Sequence, residues 1–139
     1  MRSIQAILAN RETVTIDHLA WVLDAARAMA AHRIGAVPVL EGDRLVGIFS
    51  ERDVLVRVVA AGLDPAATKV GDVMSTQLVT ADIGESYDAG LERMQRAHVR
   101  HLIVLSEGAM AGILSLRDLM AVDLDEKSEH IALLNAYVS

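Results

Sequence analysis

The sequence predicts an α+β fold built twice over, as two βαββα-like repeats packed through their small sheets. Three observations predict it. The segment Gly47-Ile48-Phe49-Ser50-Glu51-Arg52-Asp53 returns as Gly112-Ile113-Leu114-Ser115-Leu116-Arg117-Asp118, with Gly, Ile, Ser, Arg and Asp all displaced by the same 65 positions, Asp53 to Asp118. The register extends outward without gaps, pairing Val14 with Val79, Thr15 with Thr80, Asp17 with Asp82, Met29 with Met94, Val39 with Val104 and Leu40 with Leu105. A repeat of this length fixes the architecture before any chemistry is considered. Second, each copy holds two short apolar, β-branched runs around a glycine-containing turn, the pattern of a hairpin. Third, each hairpin is flanked by apolar residues at helical spacing. A small sheet has one face to bury, and a duplicated partner supplies the complementary surface.

Taken in order, residues 1–13 read as a lead-in helix, with Ile4, Ile7 and Leu8 on one side. Repeat 1 with its linker covers 14–69. It opens on an extended Val14-Thr15, and a helix follows from Asp17 as N-cap, with Leu19, Val22, Leu23, Ala26, Met29 and Ala30 on its apolar face. The hairpin is Ala36 to Leu40, a turn at Glu41-Gly42-Asp43-Arg44, then Leu45 to Phe49. A second helix covers Glu51 to Ala61, with Val54, Leu55, Val58 and Val59 inward and Gly62 as its stop. Gly62 to Lys69 links the copies. Repeat 2 covers 70–122, with Val70, Val73 and Met74 as its own lead-in, a helix carrying Tyr87, Leu91 and Met94, and strands Leu102 to Leu105 and Met110 to Leu114. Residues 123–139 start acidic and end in Ile131, Leu133, Leu134, Tyr137 and Val138, the pattern of a docking helix. Met29, Met94 and Met120 are expected in the core.

Composition narrows the function. Hydrophobic residues make up 53 % of the 139 but aromatics only 3 %, so the core is aliphatic. No apolar run approaches the roughly 20 residues that span a bilayer, and no apolar stretch follows a basic start. A cytoplasmic location without membrane attachment is the expectation. The absence of cysteine removes disulfides, thiolate metal sites and a cysteine nucleophile. His98 and His101 lack a visible third ligand, so no metal is expected. A net charge of −6 with four aromatic residues argues against nucleic acid, whose binding needs a basic footprint. No phosphate loop or dinucleotide turn is present, nor the second glycine of a nucleophile elbow, so an enzyme is not expected.

The repeated segment carries the chemistry. Ser50 with Asp53, and Ser115 with Asp118, have the spacing of a capping box, which satisfies free N–H groups at a helix start. Capping does not explain Arg52 and Arg117. Each falls in the first helical turn, where a cation opposes the helix dipole. A cation placed there twice suggests that an anion docks at these helix starts, where free N–H groups already favour phosphate.

These residues resemble a tandem pair of CBS (cystathionine-β-synthase) domains. The resemblance rests on the two Gly-Ile-x-Ser-x-x-Asp segments, Val37-Pro38-Val39, the two Val-Thr pairs and Val70 to Met74, and spans about residues 4 to 122. The layout, including Arg100-His101 and Leu134-Asn135-Ala136-Tyr137, is similar to small stand-alone CBS-pair proteins. The resemblance implies an adenosyl ligand in clefts between the repeats, AMP first, with ADP, ATP, NAD or S-adenosylmethionine as alternatives. Carried over by position, Asp53 and Asp118 hold ribose hydroxyls. Ser50 and Ser115 contact phosphate or ribose, with Arg52 and Arg117 supplying positive charge. Thr15 and Thr80 line the clefts, backbone at Ala36-Val37 and His101-Leu102 reads adenine, and Arg100 and His101 add to the phosphate site. Relatives of this kind often carry glycine where Arg117 stands, so this side chain either strengthens phosphate binding or fills the cleft. The implied function is a regulatory adenine-nucleotide-binding module, homodimeric, that senses energy or redox state and modulates a partner protein. The alternative is a ligand-independent dimerisation or interaction module acting on a partner enzyme.

Overall fold

A computed structural model describes residues 2–138, with side chains to residue 136. The chain forms two compact units, one of residues 12–78 and one of residues 1–11 with 79–139. Each holds a three-stranded mixed sheet and helices, so the α+β expectation stands.

In the 12–78 unit, β1 (Ile16–Asp17) leads to α2 (Val22–His32), then to the hairpin of β2 (Ala36–Glu41) and β3 (Arg44–Ser50). β2 is central, parallel to β1 and antiparallel to β3. In the other unit β4 (Thr80–Asp82), α5 (Tyr87–Ala97), β5 (His101–Ser106) and β6 (Ala109–Ser115) repeat the topology. Even the irregularities recur. A bulge falls at Val39/Leu40 and again at Val104/Leu105, and Arg33 and His98 both end their helices in the left-handed conformation. Buried residues also match in register: Val22 with Tyr87, Met29 with Met94, Val37 with Leu102 and Phe49 with Leu114.

The lead-ins cross over between the repeats. α1 (Ile4–Leu8), which precedes repeat 1, buries Ile4 in the core of the unit containing repeat 2. α4 (Val70–Val73), which precedes repeat 2, buries Val70 and Val73 in the unit containing repeat 1. This crossing explains the repeated glycines. A Cβ on Gly47 would lie 2.5 Å from Met74 Sδ and 2.8 Å from the Ser75 carbonyl, and one on Gly112 would lie 2.7 Å from Leu8 Cδ1. The arriving lead-in needs a strand position with no side chain.

The two sheets differ at one position. The Ile103 amide donates to the Val79 carbonyl at 2.9 Å. Its counterpart Pro38 has no N–H to give, and β1 is two residues long where β4 has three.

Five expectations change. α2 starts at Val22 with Trp21 as N-cap, not at Asp17. The Asp17 carboxylate instead accepts the Leu19 amide at 2.8 Å, a local turn that holds the backbone out of the helix. On α2 the buried residues are Val22, Ala25 and Met29, while Leu19 is 55 % exposed. The segment after β3 is a short α3 (Glu51–Asp53) running into a π-helical stretch, Val54–Val59. The wider turn breaks the 3.6-residue face: Val58 is buried, but Leu55 and Val59 are about 60 % exposed. The expected separate tail 123–139 continues α6 (Leu116–Val138) as one helix. Ile131, Leu133 and Leu134 are exposed rather than folded back on their unit, and the side chains of Tyr137 and Val138 lie outside those described. Met120 is also exposed, not core.

Candidate functional site

The end of each β-hairpin runs directly into a helix, so the repeated segments become helix starts. Ser50 accepts the Asp53 amide through Oγ at 3.2 Å, while Asp53 Oδ2 accepts the Ser50 amide at 2.9 Å. Ser115 and Asp118 repeat this at 3.1 Å and 2.8 Å. Both capping boxes therefore form as the spacing predicts.

Beyond the box the two carboxylates differ. Asp53 is 6 % exposed. Its Oδ2 also accepts the Ser50 hydroxyl at 3.1 Å, and its Oδ1 accepts the Ser75 hydroxyl at 3.0 Å and faces Arg57 Nε at 3.6 Å. Arg57 in turn donates to the Met74 carbonyl at 3.0 Å. Both oxygens of Asp53 are thus engaged from within its unit. Asp118 is more open, with a side chain 27 % exposed. Its Oδ2 takes the Ser115 amide and pairs with Arg11 Nη1 at 3.0 Å, while Oδ1 has no partner among the described residues. Burial would raise the pKa of Asp118, but the Ser115 groups and the Arg11 guanidinium outweigh it and hold the carboxyl below its usual value. At pH 7 it is an anion with an acceptor to spare.

Strand register gathers the other predicted residues. Ala36 pairs with Ser50 and His101 with Ser115, so the strand residues expected to read adenine lie beside the capping serines. The side chains of Ala36 and Val37 are buried, leaving only backbone to offer a ligand. The Gly35 carbonyl accepts the Glu51 amide at 2.9 Å, and the Arg100 carbonyl accepts the Leu116 amide at 2.7 Å, which ties Arg100 to the second helix start. Thr80 pairs with Ile103, two positions along β5 from His101, and its carbonyl accepts Arg93 Nη1 at 3.1 Å. Thr15 precedes β1 at the corresponding end and is exposed. Arg52, Arg100 and Arg117 are exposed. Each sheet thus collects its candidate residues at one end.

Three further participants went unnoticed in the sequence. Ser75, Arg57 and Arg11 hold the two aspartates, and Ser75 and Arg11 come from the crossed lead-ins. The repeat register does carry a clue, because Arg11 stands opposite Thr76 and Asn10 opposite Ser75. Among the described residues no group of three or more His, Asp or Glu is arranged to hold a metal. Within the same limits, no helix is long and apolar enough to cross a membrane.

The CBS-domain family model matches residues 7–60 and 70–125. The CBS domain-containing protein YhcV of Bacillus subtilis is 32 % identical over 124 residues, 89 % of this chain and 88 % of that protein. The mitochondrial CBS domain-containing protein CBSX3 of Arabidopsis thaliana is 32 % identical over 122 residues, 84 % of this chain and 59 % of that protein. Among solved structures, a putative signal-transduction protein with CBS domains from Burkholderia ambifaria superposes with a TM-score of 0.83 at 29 % identity, covering 89 % of this chain and 95 % of that one. The CBS domain protein PAE2072 of Pyrobaculum aerophilum, complexed with AMP, gives 0.76 at 26 %, covering 84 % and 89 %.

Proposed function

The chain belongs to the CBS-domain family, and from that premise we propose that it is a regulatory module that binds an adenine nucleotide and through it modulates a partner protein. The observation that carries the reading is the open carboxylate at a cation-rich helix start. Asp118 Oδ1, without a partner among the described residues, suits ribose hydroxyls, and the α6 N-terminus with Arg117, Arg100 and Arg11 near it in the fold suits phosphate. The AMP complex of PAE2072 supports the same ligand class. A nucleotide regulates only if its affinity differs between two arrangements of the module, since binding then shifts the population between them. The proposal includes a homodimer working in the cytoplasm and no catalysis by this chain.

The test is thermal unfolding against AMP, ADP, ATP, NAD and S-adenosylmethionine. A ligand at a hundred times its dissociation constant adds about 2.7 kcal/mol to the folded state. The proposal expects a concentration-dependent rise in Tm for at least one of them, lost in Asp118→Ala. No rise with any ligand contradicts it.

A second reading, an interaction module that needs no ligand, is favoured by one observation. Leu55 and Val59 are exposed, and so are their repeat counterparts Met120 and Leu124. A duplicated apolar ridge suits protein contact, and on that reading Asp118→Ala leaves partner binding unchanged.

A further inference from the structure

The two repeats present unequal helix starts, and the inequality concerns how many ligands bind and which kind. We infer that each chain binds one adenosyl phosphate, at the Asp118 end, and that Arg11 is the residue that selects phosphate-bearing ligands there. This rests on the nucleotide reading above and deepens it.

The two aspartates differ in the acceptors they have left. A carboxylate that holds ribose must have an oxygen free to accept hydroxyl hydrogens. Asp53 has already placed Oδ1 on Ser75 and Arg57 and Oδ2 on the amide and hydroxyl of Ser50, and it is 6 % exposed. A ligand reaching it must first break contacts that stabilise a buried anion, which is costly. Asp118 needs no such rearrangement, since Oδ1 is unpartnered among the described residues.

The copies also differ in charge at these ends. Read in register, Gly35, Ala36 and Thr76 of one end become Arg100, His101 and Arg11 at the other. The Asp118 end therefore gains two arginines and a histidine. At the Asp53 helix, Arg52 only matches Arg117 of the other copy, and Arg57 is committed to Asp53 and to the Met74 carbonyl.

Arg11 has the geometry for selection. Asn10, with a φ of 65°, turns the chain out of α1, and the Arg11 amide closes that turn on the Leu8 carbonyl at 3.1 Å. The turn delivers Nη1 to Asp118 Oδ2 at 3.0 Å while the side chain stays 43 % exposed. A guanidinium presents five donors in a rigid fork, so one edge can hold Asp118 and the other a phosphate. Without Arg11 a phosphate loses that donor edge and meets an uncompensated carboxylate. Adenosine, being neutral, feels neither change.

The test is isothermal titration of the full chain with AMP and with adenosine, for the wild type, Asp118→Asn, Arg11→Gln and Arg11→Lys. The expected stoichiometry is one AMP per chain, abolished in Asp118→Asn. Arg11→Gln should weaken AMP by about ten- to a hundred-fold, the range of a lost charge-assisted hydrogen bond, and leave adenosine within about two-fold. Arg11→Lys should fall between, because it keeps charge and loses the fork. Two AMP per chain, or equal weakening of AMP and adenosine in Arg11→Gln, overturns the inference while leaving nucleotide binding intact. Failure of the wild type to bind AMP overturns this inference, and failure to bind ADP, ATP and NAD as well overturns the nucleotide reading itself.

Discussion

Asp118 shows how one side chain can cap a helix and still offer an acceptor. It caps α6, pairs with Arg11 and keeps one oxygen open. Burial opposes its charge, yet its partners win and lower its pKa, and Glu85, held by Arg93 and the Asp82 amide, shifts the same way. A carboxyl whose pKa is lower folded than unfolded adds stability above the unfolded value, about 4, and loses it as pH falls through the folded value. Tm should therefore fall on acidification below about pH 4, and Asp118→Asn should flatten that limb in a pH series of thermal melts. An unchanged limb would show that the Asp118 contacts add nothing. The capping role was legible in the sequence, because Ser and Asp three apart at a helix start have a local meaning. The inequality of Asp53 and Asp118 was not. It depends on Ser75 and Arg11, which reach these carboxylates only once the chain has folded back.

At the scale of elements, the repeat located both sheets to within a residue or two, since alternating apolar runs around Gly42 and Gly108 leave little choice. Helix limits were less legible. Asp17 has the identity of an N-cap, but its carboxylate closes a turn on Leu19 before α2 begins. Leu55 and Val59 fit an α-helical face that the π-helical stretch rotates away. The crossed lead-ins leave a clear signature in Gly47 and Gly112, and their substitution should be unequal. A Cβ at Gly47 meets the Ser75 backbone carbonyl, which cannot move alone, whereas at Gly112 it meets the end of the Leu8 side chain, which can rotate. Gly47→Ala should cost about 1–3 kcal/mol, the usual range for overpacking, and Gly112→Ala clearly less. Urea unfolding of the two variants measures this, and equal losses would contradict the contrast between a backbone and a side-chain neighbour.

For the whole molecule, duplication supplies two equivalent frameworks whose aspartates are held differently. The 12–78 unit has tied its aspartate into the fold through Ser75 and Arg57. In the unit of residues 1–11 and 79–139 the aspartate is more open and pairs with Arg11. The matched pair Leu55 with Met120, and Val59 with Leu124, stays exposed in both copies and offers apolar surface beyond what either unit buries. The family and the doubled architecture could be read before any coordinates, because the repeat is long and ungapped. The ligand's seat could not, because it turns on which acceptors remain unused after folding.

The central claim is that this chain binds an adenine nucleotide through Asp118. Equilibrium dialysis of the purified protein against labelled AMP tests it most directly. The account predicts saturable binding that unlabelled AMP displaces, GMP does not, and Asp118→Asn abolishes. No saturable binding of AMP, ADP, ATP or NAD at millimolar concentration, or binding undiminished in Asp118→Asn, would contradict it.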